Sequence, residues 1–349
     1  MAWMIYGATG YTGQLVVAEA VARGHRPLLA GRNPEKLATL ADTYDLDFVA
    51  FQLDDPTVIA EAIADMDVVY HAAGPFVYTS EPMIRACLAT HTHYLDITGE
   101  IDVFEQTFSY DDAARKVGIA LISGVGFDVV PTDCLAAYVA GQVTGATELN
   151  IGVFGLYGAS AGTTKSAIEM LPGKWYTRRD GKLTSGSFGK DTHTFTLPNG
   201  KKRHGMSAPW GDLSVAYRTT GIPNITSYLD MPSSAVTMGR VFYPVAKQLF
   251  KLDAVRSFAS DLVDSRVTGP DDEARETGKS YLYAEARNPA GQSAAAWLTT
   301  LEPYQYTAKV GVLAVEEALH LDAIGTLTPA QAFGADFTLQ VDNTVREDV

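Results

Sequence analysis

The sequence predicts an α/β protein: a doubly wound parallel sheet, then a second α/β domain built on a mixed sheet. Three observations carry that prediction. In the first third of the chain, short apolar runs alternate with helical patterns, the signature of βαβ units with both faces of the sheet covered. A glycine-rich turn, Gly7-Ala8-Thr9-Gly10-Tyr11-Thr12-Gly13, stands between the first strand and the first helix. Past residue 143 the rhythm changes to strands, including a hairpin centred on Asn288-Pro289-Ala290-Gly291.

Residues 2–6 form an apolar strand running into Gly7. Residues 14–23 are apolar at helical spacing, and Gly24-His25 stops them. Residues 27–30 make the second strand. Asn33-Pro34 then has the form of an N-cap with proline at the first helical position. Residues 48–53 make the third strand, and Asp55-Pro56 opens the next helix in the same way. Residues 68–71, 94–97 and 119–123 read as strands, with a helix over 80–90. A helix over 132–143 leads out of this first domain.

Beyond it, residues 149–154, 193–197, 213–218 and 226–230 read as strands, and 281–287 with 294–300 as the hairpin. Helices are expected to be sparse here, with one over 235–250. Residues 271–277 are polar and read as an exposed loop. Residues 307–321 carry an amphipathic helix, and Thr328-Pro329 starts a short one. The expected division is 1–131, 132–303, and a C-terminal block 304–349 of helices.

Charge narrows the function classes. With 27 basic against 41 acidic residues the formal charge is −14, spread along the chain. Such a surface repels polyanions, so neither nucleic acid nor an anionic membrane is an expected partner. Cys87 and Cys134 are far apart and form no Cys-x-x-Cys pair, as in a reduced cytosolic protein with thiols packed as small apolar groups. No apolar run reaches the ~18–20 residues that span a bilayer, and no basic segment precedes the first strand. The expectation is a cytoplasmic protein with a small-molecule partner, compatible with a homo-oligomer.

The glycine turn has the context that gives such motifs meaning: a strand before it and a helix after it. Gly7, Gly10 and Gly13 allow a tight turn, close approach of backbone N–H groups to a pyrophosphate, and packing of helix on strand. Thr9, Tyr11 and Thr12 complete the loop, and the helix N-terminus offers unpaired N–H groups to the phosphates. These features describe a Rossmann-type dinucleotide site. The second strand bears on the cofactor. It ends Leu29-Ala30-Gly31-Arg32-Asn33, with no acid to hold a ribose 2′-OH. Arg32, with Asn33 beside it and Lys36 a turn later, suits a 2′-phosphate, so NADP(H) is expected. An arginine without a ligand is the plainer alternative. Asp54, after the third strand, is placed to meet the adenine or to cap the following helix. Ala72-Ala73-Gly74-Pro75, after the fourth, are small enough for the ribose and nicotinamide to lie against the backbone.

Together these motifs resemble the saccharopine dehydrogenase-like oxidoreductases. The similar segments are residues 7–13, Ala30-Gly31-Arg32, Ala73-Gly74-Pro75-Phe76, Ala86-Cys87-Leu88, His93-Tyr94-Leu95-Asp96-Ile97-Thr98-Gly99-Glu100 and Gly126-Phe127-Asp128-Val129-Val130-Pro131-Thr132-Asp133. Within that group the chain is most similar to the trans-acting enoyl reductase branch. The likeness covers residues 1–140 and returns in Glu302-Pro303-Tyr304, Thr307-Ala308 and Leu327-Thr328-Pro329-Ala330. Residues 170–275 carry no recognised counterpart. The resemblance implies a Rossmann domain, a second domain on a mixed sheet, and NADP(H)-linked reduction in a cleft between them, and it allows the C-terminal helices to pack back on the first domain. It implies substrates that are imines, amino acids or enoyl thioesters, hence an acyl thioester as one candidate partner.

Hydride transfer needs an acid near the atom that gains a proton, and donors aimed at the atom that gains charge. Asp128, after the sixth strand, and Lys165, in Gly162-Thr163-Thr164-Lys165, are the candidate catalytic residues; a helix cap and a solvated lysine are the alternatives. Glu100 and Tyr78 are weaker candidates; a structural hydrogen bond across the βα loop is the alternative for Glu100, and packing for Tyr78. His91 and His93 lack further ligands at metal-site spacing, so no metal is expected. Neither the Gly-x-Ser-x-Gly of serine hydrolases nor the Tyr-x-x-x-Lys of short-chain dehydrogenases is expected to operate here: Tyr11, Tyr70 and Tyr110 are not followed by Lys at that spacing. Three functions remain: C=C reduction of an enoyl-thioester type, C=N reduction of a saccharopine type, and NADP(H) sensing without catalysis. Arg178-Arg179 beside Asp180-Gly181 reads as part of an exposed turn, which favours the less charged substrate. Trp175 and Trp210 could line an apolar pocket or pack in the core.

Overall fold

The computed structural model describes residues 1–156 and 158–349. The chain runs β1 (Trp3–Tyr6), α1 (Tyr11–Ala22), β2 (Leu28–Gly31), α2 (Pro34–Tyr44), β3 (Phe48–Ala50), α3 (Pro56–Ile63), β4 (Val68–His71), α4 (Phe76–Thr90), β5 (His93–Asp96), α5 (Ile101–Phe108), α6 (Asp111–Val117) and β6 (Ala120–Ile122). It continues through α7 (Val130–Gly141), β7 (Glu148–Phe154), α8 (Ala161–Met170), β8 (Tyr176–Arg179), β9 (Lys182–Ser185), β10 (Thr192–Thr196), β11 (Lys202–Ser207), α9 (Asp212–Thr220), β12 (Asn224–Asp230), α10 (Ser233–Leu249), α11 (Asp253–Arg266) and α12 (Asp272–Thr277). It ends with β13 (Lys279–Arg287), β14 (Ser293–Leu301), α13 (Pro303–Ala318), β15 (Gly325–Thr326), α14 (Pro329–Phe333), a 3-10 turn at Phe337–Gln340 and β16 (Val345–Asp348). Two compact units result: Met1–Val130 with Tyr304–Phe333, and Pro131–Pro303 with Gly334–Val349.

The first unit is built on a parallel seven-stranded sheet in the order β3-β2-β1-β4-β5-β6-β15. Strands β1 and β4 are buried along their whole length, as expected for parallel strands covered on both faces. The order reverses between β1 and β4, and in open α/β sheets ligands bind outside the strand ends at such a switch point. Local chemistry sets the helix starts. Asn33 Oδ1 accepts from the Lys36 N–H at 2.9 Å, and Asp55 Oδ1 from Thr57 N–H at 2.9 Å, each before a proline at the first helical position.

The returning segment is integral to this unit. Helix α13 buries most of its residues, and at Gly311 a Cβ would stand 2.3 Å from the Tyr70 hydroxyl oxygen. Thr307 Oγ1 accepts from the Phe127 N–H at 3.0 Å. Strand β15 extends the sheet beside β6, with Gly325 opposite Ala120.

The second unit holds a mixed sheet whose main path is β10-β11-β12-β7-β13-β14-β16, with the β8–β9 hairpin attached to β12. Among the described residues, the β12–β7 pair alone is parallel and the rest of this sheet is antiparallel. Several expectations change here. Residues 213–218 alternate like a strand but lie in α9, where Leu213, Ser214, Val215 and Ala216 are all buried and Gly221, at φ +70, closes the helix. Residues 271–277 are not a bare loop: Asp271 Oδ1 accepts from Ala274 N–H at 2.9 Å and starts the short helix α12. Helices α8 and α11, which the sequence pattern does not announce, make this part richer in helix than expected. The C-terminal block also divides, since β16 pairs antiparallel with β14 and takes Gly334–Val349 into the second unit.

Candidate functional site

The ends of β1, β2 and β4 in the first unit bring the glycine loop and its neighbours together. Gly7 has φ +92, and a Cβ on it would lie 2.8 Å from the Ala72 carbonyl carbon, so only glycine lets this turn pass the end of β4. Gly13 is more constrained in space: a Cβ there would stand 2.1 Å from Gly7 O. At Gly10 the nearest atom, Gly7 O, would be 3.2 Å away. Gly13 therefore keeps α1 against the loop, while Gly10 lies on its exposed side. No side chain caps α1 at Gly10, so its first-turn N–H groups are not taken by a side-chain cap. Thr9, Tyr11 and Thr12 are half-buried around this turn, and the Tyr11 ring meets Tyr304 edge-on at 4.9 Å between centroids.

Arg32, Asn33 and Lys36 follow β2 on the exposed surface. Among the described residues, neither the Arg32 nor the Lys36 side chain has a hydrogen-bond or ion-pair partner. Asn33 uses its carbonyl oxygen to cap α2. Asp54 stands past the end of β3 and is exposed; the helix cap is made by Asp55 instead. Arg32 and Asp54 both act on the Tyr6 hydroxyl. Burial pushes Tyr6 up to about 12, with Arg32 pulling it down and Asp54 raising it.

After β4, Ala72 and Ala73 are half-buried and Gly74 is exposed, ahead of Pro75. Two side chains not anticipated from the sequence hold this loop. Thr79 Oγ1 donates to Ala73 O at 2.7 Å, and His71 Nε2 lies 3.2 Å from the same oxygen. Burial pulls His71 down to about 3, so its ring is neutral near pH 7. Asp96 sits below, fully buried. Its carboxylate accepts from the N–H groups of Thr98 and Gly124 and from the hydroxyls of Tyr94 and Ser123, all at 2.9 Å. Burial raises its pKa against those donors. The Asp96-x-Thr98 spacing, an Asx-type turn, is the sequence signal for this knot.

Glu100 is structural. Its two carboxylate oxygens accept from the N–H groups of Phe76 and Val77, each at 2.9 Å, and so cap α4. Tyr78 is exposed just beyond. Asp128 is half-buried, and Gly99 makes room for it: a Cβ at Gly99 would meet Asp128 Oδ2 at 2.7 Å. Desolvation pushes Asp128 up to about 6, close to where a general acid works at neutral pH. His91 and His93 serve the backbone: His91 Nδ1 lies 3.0 Å from Val117 O, and His93 Nδ1 accepts from Ala120 N–H at 2.9 Å.

In the second unit, Lys165 is half-buried on α8. Two spacings not expected in the chain do occur there, and both have structural explanations. Gly158-Ala159-Ser160-Ala161-Gly162 matches the Gly-x-Ser-x-Gly pattern of serine hydrolases, but Ser160 is in ordinary extended backbone and its hydroxyl accepts from Thr163 N–H as the N-cap of α8. Tyr243 and Lys247 have the Tyr-x-x-x-Lys spacing, outside the dinucleotide unit, and Tyr243 stacks on Phe188 at 5.0 Å. The arginine pair corrects an expectation. Asp180-Gly181 is a turn with positive φ at both residues, yet Arg178 is buried and Arg179 half-buried. Successive residues of β8 face opposite sides of the sheet, so the two arginines leave the turn on different faces.

The parallel sheet, its switch point and the glycine turn define a dinucleotide-binding protein of the Rossmann class. Residues 7–95 match the family model described as NAD(P)H-binding. Among curated proteins, the chain is similar to a saccharopine dehydrogenase-like oxidoreductase of Rattus norvegicus, 30% identical over 195 residues, covering 47% of this chain and 44% of the relative. It is also similar to a trans-acting enoyl reductase of Mycobacterium ulcerans, 29% identical over 138 residues, covering 37% and 33%. The chain thus spans less than half the length of these relatives. Among solved structures, saccharopine dehydrogenase (L-Glu forming) from Saccharomyces cerevisiae matches with a TM-score of 0.68 at 12% identity, covering 100% of this chain and 99% of that one. That likeness shows the shared fold. Among the described residues, no helix is long and apolar enough to cross a membrane.

Proposed function

We propose that the protein is an NADPH-dependent reductase that delivers hydride to a conjugated C=C of the enoyl-thioester type. Arg32 carries the cofactor half of this reading: an exposed, unpaired guanidinium at the end of β2, where an NAD-specific site would place an acid. The substrate half is supported by the name of one relative, a trans-acting enoyl reductase. Residues 7, 9–13, 32, 33, 36, 54 and 72–75 would hold the cofactor, which supplies the hydride when bound. Asp128 would give the proton, its raised pKa keeping part of it protonated at neutral pH. Lys165 would stabilise charge on a carbonyl oxygen. The half-buried Arg179 favours a second reading, C=N reduction of an amino-acid substrate, because a carboxylate needs such a cation.

Dissociation constants for NADPH and NADH at two salt concentrations test the cofactor. A charge-assisted contact contributes ~1.5–3 kcal/mol, so NADPH should bind at least about tenfold more tightly, with the margin shrinking as salt rises. Arg32→Ala should erase most of the difference, and Arg32→Asp should move preference toward NADH. Equal affinity of the unmodified protein for both cofactors would overturn the assignment. NADPH consumption with enoyl thioesters against cyclic imines separates C=C from C=N reduction, and binding without turnover on either points to a sensor. Lys165→Ala should lower turnover more than it weakens NADPH binding; an unchanged rate removes Lys165 from the chemistry.

A further inference from the structure

We infer that Thr79 and His71 are positioning residues: by holding the Ala73 carbonyl inward, they present the Gly74 N–H as the donor to the nicotinamide carboxamide oxygen. This rests on the cofactor half of the proposed function and names the group that orients the nicotinamide. Thr79 Oγ1 lies 2.7 Å from Ala73 O and 3.2 Å from Pro75 O, so its single proton goes to the nearer oxygen. His71 Nε2 lies 3.2 Å from Ala73 O. A carbonyl oxygen can only accept, so Nε2 carries the proton of the neutral ring, and Nδ1 faces the Tyr94 hydroxyl at 3.3 Å. The imidazole cannot swing away. It is fully buried and meets the rings of Tyr6 and Phe76 edge-on, each at 5.4 Å between centroids. Both lone pairs of Ala73 O are thus in use.

Peptide geometry carries this constraint to the next residue. The Ala73–Gly74 bond is trans, so the Gly74 N–H points the opposite way from the Ala73 carbonyl. It therefore faces away from His71 and Thr79, on the side where Gly74 itself is exposed. Its neighbours offer no competing donor. Pro75 has no N–H, and the N–H groups of Phe76 and Val77 are taken by Glu100. Among the described residues the Gly74 N–H makes no hydrogen bond. The Ala73–Gly74 peptide thus offers a ligand a donor and no acceptor. In the nicotinamide half of the cofactor, the carboxamide oxygen is a pure acceptor and matches that donor. The carboxamide NH2 is itself a donor and finds no partner on this peptide, and a ribose hydroxyl can donate as readily as accept.

Two ligands separate this contact from the rest of the cofactor site: NADP+, and 2′-phospho-ADP-ribose, which keeps the phosphates and riboses but has no nicotinamide. In the full chain, isotopic labelling of the alanine carbonyl carbon and the glycine nitrogen singles out the Gly74 amide with few others by NMR. NADP+ should shift that resonance, and 2′-phospho-ADP-ribose should leave it in place. Thr79→Val keeps the shape of the side chain and loses the bond to Ala73 O. It should weaken NADP+ by about three- to tenfold, the worth of one hydrogen bond, with 2′-phospho-ADP-ribose affinity unchanged by calorimetry. Thr79→Ser, which keeps the hydroxyl and loses the methyl, should restore NADP+ affinity; a role in packing alone would not. A Gly74 amide unmoved in the NADP+ complex overturns the assignment, and so does equal weakening of both ligands in Thr79→Val. If 2′-phospho-ADP-ribose binds while the Gly74 amide ignores the nicotinamide, this inference falls and the cofactor reading stands. If neither ligand binds the unmodified protein, the cofactor reading falls and takes this inference with it.

Discussion

Two glycines of one loop do different things, and substitution should separate them. A Cβ at Gly13 would overlap Gly7 O, an atom of the backbone that cannot swing aside. Gly13→Ala should therefore destabilise the first unit, by about 1–3 kcal/mol for overpacking of this kind. Gly10 already lies at φ −73 and ψ 165, a conformation open to other residues, and it faces outward. Gly10→Val should leave the melting temperature nearly unchanged while abolishing cofactor binding by calorimetry. If Gly10→Val binds NADPH normally, the phosphates do not lie over this loop.

Asp128 allows a second test at the same scale, with a definite sign. Its folded pKa of about 6 stands above the usual 3.8, so between those values the folded chain holds the proton more tightly than the unfolded chain. Stability from this group is present below about pH 4, falls as pH rises toward 6, and is absent above. Asp128→Asn should match the unmodified protein near pH 4 and exceed it by roughly 1–3 kcal/mol at pH 7.5, in urea unfolding. If Asp128 also supplies the proton, the same variant loses turnover while gaining stability. A purely structural residue would not show that opposition.

Among the elements, legibility follows burial. Strands β1, β2, β4 and β6 are mostly apolar and buried because both faces of the sheet are covered there, and punctuation such as Asn33-Pro34 and Asp55-Pro56 marks the helices. Reading them needs only local rules. Helix α9 defeats those rules: Leu213, Val215 and Tyr217 alternate, yet the segment is a helix closed by Gly221 at φ +70, with Ser214 and Ala216 buried as well. Strands β8 and β9 escape them because their pairing, not their composition, defines them. Polar Arg179 and Lys182 face each other across a two-residue turn. The cofactor loop is legible for the same reason as the sheet, since its glycines are required by contacts within a few residues and one neighbouring strand. The clamp on Ala73 from His71 and Thr79, and the Asp96 knot beneath it, join three strand ends and have only a faint local signature.

Over the whole molecule, the C-terminal segment contributes a strand to both sheets, and truncation should dissect its two roles. Strand β15 and helix α13 complete the first unit: α13 meets Tyr70 through Gly311, and Thr307 accepts from Phe127 N–H. Strand β16 completes the second, as the edge partner of β14. A chain ending at Phe333 retains the first unit in full, so hydrogen exchange in β1 and β4 should stay as slow as in the complete protein. The second unit should exchange faster, because β14 loses its partner and buried Phe337 and Val341 are removed. A chain ending at Pro303 loses α13 and β15 as well, uncovering one face of the parallel sheet and the edge of β6. Exchange in β1 and β4 should then rise toward unfolded rates, and NADPH binding should disappear. If the chain ending at Pro303 protects β1 and β4 as well as the full protein, α13 is dispensable to the first core. The same comparison reads the two units against each other: protection lost in both after truncation at Phe333 would mean that they unfold as one.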